Sequence, residues 1–410
     1  MAKESGTNRE RRAELERAAL AVHSRFGSIQ RLIIRALELL LAPFAWGLRV
    51  SPLPDLNQVQ KIVVLEQGHL GDVILLTPFL QALRARYPRA HLALLGRPGL
   101  KDLLEVQGLV DEHLAIQFPW TAGLPRWKVY NPFSLRVPRF GWNLLQLRRR
   151  QFDLGFVAGW GDIRHNLALF LTGPRRRIAY GFAGGGMLLT DVVPPDLSRL
   201  HHSDLSLRLL EHLDIPGPPR QKILSLTRED QEFGRAFFSH HRIDADEIIV
   251  GIHPRAGASL KEWGDQRFQQ VAEQIVRQFR ARVIWFEDPA RPPANSKGES
   301  RGIVRAALPL RQFLAVLACC DALVCNDSGP MHMAAALGVR VVAIFGPEFP
   351  DWYAPLDTGH QVVIRKAMWC RPCWRQCRFT EPYCLRLISP DDVMQSLWKI
   401  LEDRARPVGA

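Results

Sequence analysis

Short apolar runs recur along the first half of the chain, separated by polar turns and longer stretches. Three of them have the length and the apolar content of buried strands: Lys61–Leu65, His91–Leu95 and Phe152–Val157. A helix containing Leu80 and Leu83 is predicted between the first two runs. This alternation is typical of a parallel sheet covered by helices.

The second half of the chain repeats the alternation with a clearer helical period. The runs that predict strands are Ile248–Ile252, Val283–Phe286, Ala322–Cys325 and Val341–Phe345. A helix capped by Asp265 is predicted because the apolar positions that follow fit one helical face: Phe268, Val271, Ala272, Ile275, Val276 and Phe279. The whole pattern predicts an α/β protein of two Rossmann-like domains, with ligands in the cleft between them, beyond the carboxyl ends of the strands.

The N-terminal segment has a different pattern. Residues 1–28 are polar and rich in Arg and Glu, whereas residues 29–46 carry an apolar stripe at helical spacing that Pro43 ends or kinks. This amphipathic helix is too short and too charged to cross a bilayer. It suits either a position in the plane of a membrane interface or packing on the first domain.

Length and proline content set the expected boundaries. A chain of 410 residues exceeds what one core usually serves, and the prolines within residues 215–232 indicate a hinge. We expect a helical, basic N-terminal extension over residues 1–56, a Rossmann-like domain over 57–220, a second over 221–390, and a C-terminal helix and tail over 391–410.

Composition is that of an ordinary globular protein, with 47% hydrophobic and 23% charged residues. The sequence has no run of about 20 uncharged apolar residues and no N-terminal apolar core of a secretory signal. We therefore expect a cytoplasmic protein. Its seven cysteines fit a reducing compartment, because they are not dispersed as a disulfide framework would be.

The net charge of +13 points to a membrane surface or an anionic substrate, since the compact signatures of nucleic-acid binding are not found. Residues 120–150 concentrate aromatic and basic side chains: Trp120, Arg126, Trp127, Lys128, Tyr130, Arg136, Arg139, Trp142, Arg148, Arg149 and Arg150. One interpretation is a solvated insertion. The other is an acceptor face, with aromatic rings on sugars and arginines on phosphates, which docks on the inner leaflet together with the N-terminal helix.

The first stretch with candidate catalytic residues is Gly68–Pro78. Gly68 and Gly71 let the backbone turn tightly after a strand, and Asp72 falls where a helix begins. Its carboxylate can cap that helix or act as a general base towards an attacking hydroxyl.

The second stretch, His253–Trp263, leaves a strand through small residues and contains Arg255 and Lys261. Small residues expose amides to a phosphate, and the lysine adds a point charge. An ordinary loop with a solvated lysine is the alternative.

The third stretch, Asn326–Ala336, turns at Gly329 and starts a helix with Pro330 near its first position. Ser328 and the first amides of that helix could bind an anion. The alternative is a capped helix start in which His332 only packs.

These three stretches, in this order and spacing, resemble glycosyltransferase family 9, the ADP-heptose:lipopolysaccharide heptosyltransferases. Further segments that resemble the family are Phe152–Leu154, Gly173–Gly181 and Phe345–Trp352. The resemblance covers roughly residues 60–400. It implies a GT-B fold that binds the acceptor on the first domain and the nucleotide sugar on the second.

The resemblance also implies roles for single residues. Asp72 matches the catalytic base and Lys261 matches the lysine on the donor phosphates. The donor diphosphate loop matches Asp327, Ser328, Gly329 and His332, while Gly68, Gly71 and Arg255 are expected to line the cleft. A base plus a lysine and a helix N-terminus suffice for an inverting displacement, so no cofactor is expected for catalysis.

One turn departs from the family pattern. After the strand Val283–Phe286 the family has a Gly-Gly-Pro-x-Glu-like turn whose acid binds the donor ribose, whereas this chain has Glu287 and Asp288. Either acid is expected to bind the donor nucleoside. Asp244-Ala245-Asp246 is interpreted as solvated surface rather than a metal site.

Four of the cysteines fall close together, at Cys370, Cys373, Cys377 and Cys384. This predicts a structural metal site remote from the reacting groups, for Zn²⁺ first and iron second, with free or redox-active thiols as the alternative. Similar cysteines occur in autotransporter heptosyltransferases that resemble this family and carry iron. The other three are interpreted as core residues of a helix and a strand: Cys319, Cys320 and Cys325.

Heptosyl transfer from ADP-heptose to a lipopolysaccharide core or a related glycan is therefore the leading hypothesis. The expected partners are the nucleotide sugar, an anionic lipid-linked acceptor and the inner face of the cytoplasmic membrane, with no specific nucleic acid. The alternatives are a GT-B enzyme with another donor, a sugar-nucleotide epimerase, and a non-catalytic protein that binds glycans or nucleic acid.

Overall fold

The computed structural model describes Ala36 and residues 53–402, apart from gaps at 105–106, 120–135, 160, 182–183, 197–200, 218–223, 245, 280, 289–301, 356–360, 367, 371–372 and 374–376. The predicted N-terminal amphipathic helix and most of the aromatic stretch before residue 136 lie outside the described residues. The chain divides into two compact units, Met1–Arg220 and Gln221–Ala410.

The first unit contains a six-stranded parallel sheet. Its strands are β1 (Lys61–Glu66), β2 (His91–Gly96), β3 (Glu112–Ala115), β4 (Leu154–Val157), β5 (Arg176–Tyr180) and β6 (Asp191–Val193). They lie in the order β3-β2-β1-β4-β5-β6. The strands β1, β2 and β4 are buried along almost their whole length, as expected for a parallel sheet covered on both faces.

Helices cover this sheet. They are α1 (Leu70–Arg86), α2 (Arg136–Leu147), α3 (Ile163–Thr172) and α4 (His202–Glu211), with a single helical turn at Lys101–Leu104. The limits of α3 illustrate how sequence sets them. Asp162 accepts a hydrogen bond from the Arg164 N–H at 2.9 Å, and Gly173 ends the helix with φ of 76°, a conformation that glycine adopts most easily.

The second unit contains another six-stranded parallel sheet. Its strands are β7 (Ile249–His253), β8 (Arg282–Glu287), β9 (Ile303–Ala307), β10 (Ala322–Asn326), β11 (Arg340–Ile344) and β12 (Gln361–Ile364). Its order is β12-β11-β10-β7-β8-β9. Numbered from its first strand, this order is the same 3-2-1-4-5-6 as in the first unit.

The helices of the second unit are α5 (Arg228–His240), α6 (Asp265–Phe279), α7 (Leu310–Leu317), α8 (Gly329–Ala336) and α9 (Pro390–Leu401), with short turns at Pro350–Tyr353 and Tyr383–Arg386. The apolar face of α6 lies in the main core of this unit, as predicted. The helix α9 packs in the same core, where the Phe279 and Trp398 ring centroids are 3.8 Å apart.

The strand order places one topological switch point in each unit, between β1 and β4 and between β7 and β10. In sheets of this kind, ligands bind outside the carboxyl ends of the two strands at the switch point. The fold therefore indicates where the two candidate half-sites lie.

The structure also corrects details of the sequence interpretation. Residues 228–232, assigned to the hinge, form the first turn of α5, where Thr227 accepts a hydrogen bond from the Asp230 N–H. Cys319 is exposed, so its assignment to the core was wrong, while Cys320 and Cys325 are buried. Asp244 and Asp246 are exposed, as expected. Among the described residues, no helix is long and apolar enough to cross a membrane.

Candidate active site

The turn after β1 brings Asp72 to the first switch point. His69 is the N-cap of α1, and Asp72 lies three residues later in its first turn. The Asp72 Oδ2 accepts a hydrogen bond from the His69 backbone N–H at 2.6 Å. Within the described part of the chain, Oδ1 has no hydrogen-bond partner. The carboxylate is only partly buried, so it caps the helix with one oxygen and keeps the other for a second task.

The position of the Asp72 carboxylate explains why residue 68 is a glycine. A Cβ at Gly68 would lie 2.2 Å from Asp72 Oδ2, so any side chain there would displace the carboxylate. Gly71 is buried within the first turn of α1. The pattern Gly-x-x-Gly-Asp thus reflects how closely the backbone wraps this carboxylate.

A buried acid–histidine pair lies beneath the turn. Glu66 is only 4% exposed, its Oε1 accepts the Gly68 N–H at 2.7 Å, and its Oε2 is 3.4 Å from His202 Nε2. Gly159, with φ of 60°, leaves room for the His202 ring, since a Cβ there would lie 2.3 Å from that ring. Sequence reasoning missed this pair, although an acid that ends an apolar strand was the available signal.

A basic group stands at the rim of this half-site. Arg97 follows the carboxyl end of β2, and its guanidinium NH1 lies 2.9 Å from His69 Nδ1. The first half-site thus combines two carboxylates, two histidines and one arginine around the turn.

Asn326 organises the second switch point. Its side-chain oxygen accepts the Trp263 N–H at 3.1 Å, and its amide donates to the Pro254 carbonyl at 2.7 Å. Asn326 is fully buried at the end of β10. It therefore joins the loop after β7 to the loop after β10 and fixes both candidate stretches relative to each other.

Lys261 lies between two buried carboxylates. Its Nζ is 2.7 Å from Asp327 Oδ2 and 3.8 Å from Glu348 Oε1, and it lies 5.9 Å from the ring centroid of Tyr353. The carboxylate side chains are 5% and 8% exposed, respectively, and the lysine is 22% exposed. Glu348 belongs to the loop after β11 and was not singled out from the sequence.

The start of α8 lies beside this cluster. Ser328 is the N-cap of α8, but its hydroxyl donates to the Asn326 carbonyl at 3.2 Å and does not cap the helix. Gly329 and Pro330 are the first residues of the helix, and His332 is buried in the next positions. The arrangement leaves the N-terminal end of α8 without a side-chain cap, a common setting for anion binding.

Three further candidate residues lie at the ends of β7 and β8. Glu287 accepts a hydrogen bond from Arg305 at 3.1 Å, and Arg255 donates to Asp265 at 2.8 Å. Asp288 lies close enough to His253 for its negative charge to act on that ring. Both acids thus lie at the end of β8, and Glu287 and Arg255 are held in ion pairs.

His253 itself is a neutral group inside the second unit. Burial lowers the pKa of His253 to about 4, against the opposing effects of its bond to the Arg255 carbonyl and of the Asp288 charge. Its Nδ1 lies 3.1 Å from that carbonyl, which fixes the ring at the end of β7.

The four clustered cysteines lie near one another. Burial, and then Cys370, Cys377 and Cys384, raise the pKa of Cys373 to about 12. Among the described residues, no group of three or more His, Cys, Asp or Glu is arranged to hold a metal ion. The backbone N–H of Cys373 donates to the Pro347 carbonyl at 3.3 Å. The cysteine segment thus lies next to the loop that carries Glu348. The expectation that it is remote from the reacting groups was wrong.

Comparison with known proteins identifies the family of the chain. The model of glycosyltransferase family 9 (heptosyltransferase) matches residues 147–383. Lipopolysaccharide heptosyltransferase 2 of Salmonella typhimurium is 26% identical over 322 aligned residues, covering 74% of this chain and 87% of that protein.

Two solved structures show the same fold. ADP-heptose lipopolysaccharide heptosyltransferase II of E. coli matches with a TM-score of 0.65 and 21% identity, over 85% of this chain and all of that one. The iron-containing dodecameric glycosyltransferase TibC of enterotoxigenic E. coli matches with a TM-score of 0.52 and 16% identity, over 86% and 78% of the two chains. The fold is GT-B, as predicted. Since the family model covers more than half of its residues, the chain belongs to glycosyltransferase family 9, the heptosyltransferases, and is a glycosyltransferase.

Proposed function

We propose that this enzyme transfers heptose from ADP-heptose to a lipopolysaccharide core or a related cell-surface glycan, with inversion at the anomeric carbon. The observation that carries the proposal is the turn at the first switch point, where Asp72 is fixed by one oxygen and leaves the other available. Family membership and a relative that is a lipopolysaccharide heptosyltransferase support the sugar and the acceptor class.

Asp72 acts as the general base on the acceptor side. The acceptor oxygen forms a bond to the anomeric carbon, its proton passes to Asp72, and the bond from that carbon to the donor phosphate breaks. The electron pair of the broken bond leaves with ADP. A positioned base of this kind contributes about 10²- to 10⁴-fold to the rate.

The second half-site binds the donor. Lys261, Ser328, Gly329 and the N-terminal end of α8 take the diphosphate, whose oxygens compete with Asp327 for the lysine ammonium. His332 supports the start of α8 from below, and Asp327 holds Lys261 in place before the donor arrives. These groups stabilise the departing negative charge without a metal ion.

The donor nucleoside is held by Asp288. A carboxylate at the end of a strand next to the nucleotide half-site suits hydrogen bonds from ribose hydroxyls. Glu287 lies one residue away on the same strand end, but its carboxylate is engaged by Arg305. Arg255 contributes to the shape of the loop through Asp265.

The four cysteines hold a structural metal, Zn²⁺ or iron. The raised pKa of Cys373 among the other thiols supports this, because a cation would offset the cost of ionising it. The described side chains are not arranged as a metal site, so metal binding would require this segment to rearrange. The similar chain TibC is iron-containing. Elemental analysis of purified protein should find one metal per chain that a Cys373→Ser, Cys384→Ser variant lacks. Equal metal content in both proteins would contradict the assignment.

The enzyme works as a peripheral protein on the inner face of the cytoplasmic membrane, where a lipid-linked, anionic acceptor is available. The net charge of +13 supports attraction to an anionic surface. If residues 1–50 are the anchor, their removal should lower the fraction of protein that sediments with membranes.

The test of the function is donor turnover by purified protein. ADP-heptose is compared with UDP-, GDP- and ADP-hexoses, in the presence of a lipopolysaccharide acceptor, for the wild type and for Asp72→Ala. We expect selective transfer from ADP-heptose that the variant loses. Selective turnover of another donor would replace the sugar and keep the mechanism, whereas no nucleotide binding by the wild type would refute the transferase assignment.

A further inference from the structure

Helix α2 (Arg136–Leu147) has two apolar faces, of which the core uses only one. Phe140 and Leu144 are buried in the core of the first unit. On the other side, Val137, Trp142 and Leu145 are 43%, 63% and 39% exposed. Trp142 and Leu145 are three positions apart, so their side chains share one face of the helix. Val137 lies between that face and the buried Leu144, so it extends the exposed apolar surface towards the core.

This face is concentrated and continuous. Its exposed side chains are Val137, Pro138, Trp142 and Leu145, with Gly141 among them, and polar residues begin only at Arg139 and Gln146. Scattered single apolar residues on a surface need no explanation, but a stripe along one helix does.

The charged residues that flank the helix in sequence are of one sign. From residue 113 to residue 152 the sequence contains seven Lys and Arg and no Asp or Glu. Arg139 and Arg149 are exposed in or directly after α2, while Arg150 pairs with Glu112 and Arg148 donates to the Phe170 carbonyl. The apolar stripe is thus bordered by cations without nearby compensation in sequence.

We propose that the exposed face of α2 docks the enzyme on an anionic lipid bilayer, with Trp142 and Leu145 at the depth of the headgroups. An amphipathic helix with tryptophan on its apolar side and arginines on its borders is typical of binding in the interface plane. This docking proposal rests on the proposed function in one respect: membrane binding would bring the enzyme to its lipid-linked acceptor.

Two other occupants fit the face less well. A sugar site is usually concave with converging polar groups, whereas Trp142 and Leu145 stand on the convex surface of one helix with Arg139 and Gln146 only at its borders. A second protein chain would need about 800 Å² from each partner for a stable dimer. One face of a helix about 18 Å long supplies only part of that area.

Flotation of the full-length protein with lipid vesicles tests the proposal. The vesicles contain phosphatidylcholine alone or with phosphatidylglycerol. We expect binding to the anionic vesicles, much weaker binding to the neutral ones, and at least a tenfold loss of binding in the variant Trp142→Glu, Leu145→Glu. The matched control Leu167→Glu, Val192→Glu changes two apolar residues of the same unit that are 39% and 47% exposed, and it should bind like the wild type.

Several outcomes would overturn the proposal. Equal vesicle binding by the α2 variant and the wild type would exclude this face as the docking site. If, in addition, removal of residues 1–50 abolished binding, the docking site would be the N-terminal segment. A higher acceptor KM in detergent solution with unchanged vesicle binding would make the face an acceptor site. A folding defect is detected by the thermal unfolding midpoint, with Trp142→Gln as the milder second variant.

The failure of the docking proposal is distinguishable from failure of the proposed function. Donor hydrolysis in solution needs no vesicles, so the α2 variant should retain it. A wild type that binds anionic vesicles through α2 but does not turn over ADP-heptose would keep the docking surface and refute the proposed donor.

Discussion

The two units share one strand order and differ in the chemistry at their switch points. In the first unit, carboxylates meet there, since Glu66 ends β1 and Asp72 opens α1. In the second, Lys261 and the uncapped end of α8 meet there. The first arrangement suits the uptake of a proton and the second suits a negatively charged ligand. Strand order thus predicts where a site lies, and the loop residues decide its chemistry.

The units also differ in how they balance their buried charges. The Glu66 carboxylate faces His202 and a backbone amide, so part of its stabilisation comes from the turn that it fixes. Lys261 faces two carboxylates, so its charge is already compensated by protein groups. With the proposed roles, the donor must displace existing partners of Lys261, whereas the acceptor meets an Asp72 oxygen that is available.

The largest expected effect comes from Asp72→Asn. The asparagine oxygen can still accept the His69 N–H, so the cap persists, but the side chain no longer takes up a proton. We expect a fall in kcat of about 10²- to 10⁴-fold with unchanged ADP affinity and an unfolding midpoint close to that of the wild type. A large loss of stability with a modest loss of turnover would show that Asp72 only caps the helix. The first unit would then not differ from the second by a catalytic base.

The next largest effect is expected from Gly68→Ala. The new methyl group would lie 2.2 Å from Asp72 Oδ2 and must displace it. A shift of about 1 Å at a reacting group costs on the order of 10²-fold in rate. The matched control is Gly99→Ala, since nothing lies within 4 Å of a Cβ at Gly99. Initial rates of both variants decide the matter, and equal rates would show that the turn does not position Asp72.

A smaller and opposite effect is expected from Glu348→Gln. Removing this charge leaves Lys261 with one carboxylate, so its ammonium is more available to a diphosphate. We expect ADP to bind roughly tenfold tighter and adenosine, which has no phosphate, to bind as before. Isothermal titration measures both. An equal change for the two ligands would mean that the substitution altered the nucleoside pocket instead.

Sequence periodicity located seven of the twelve described strands and missed β3, β5, β6, β9 and β12. The runs that predicted β1, β2, β4, β7, β8, β10 and β11 lie within a residue or two of the observed strands. These strands are buried on both faces, so their sequences are continuously apolar. The edge strands β3, β6 and β12 span only three or four residues, as in the partly exposed Glu112–Ala115, and such segments carry little pattern.

The candidate site was predictable where a motif is local. Gly68, Asp72, Lys261 and the loop from Asp327 could be singled out because each stands in a short, recognisable stretch. Glu66, His202 and Glu348 could not, because their relevance arises from contacts between distant segments. The exposed face of α2 was visible in sequence only as a basic, aromatic region, since the side that the core covers is decided by packing.

The last expected effect concerns stability rather than rate or affinity, and it is a pH dependence that belongs to the second unit. Burial lowers the pKa of His253 to about 4, below about 6.5 in an unfolded chain. The unfolded state therefore binds a proton first as the pH falls, and folding loses stability between pH 6.5 and pH 4. Between pH 7 and pH 5 the loss is about 2 kcal/mol.

His253→Asn isolates this contribution. Its amide can donate to the Arg255 carbonyl as the ring does, but it does not titrate, so the unfolding midpoint should change less between pH 7 and pH 5 than in the wild type. The exposed His240→Asn, also in the second unit, is the control and should keep the wild-type pH dependence. If both variants lose stability on acidification as the wild type does, the acid sensitivity arises elsewhere. The second unit is then not distinguished by a neutral histidine at its switch point.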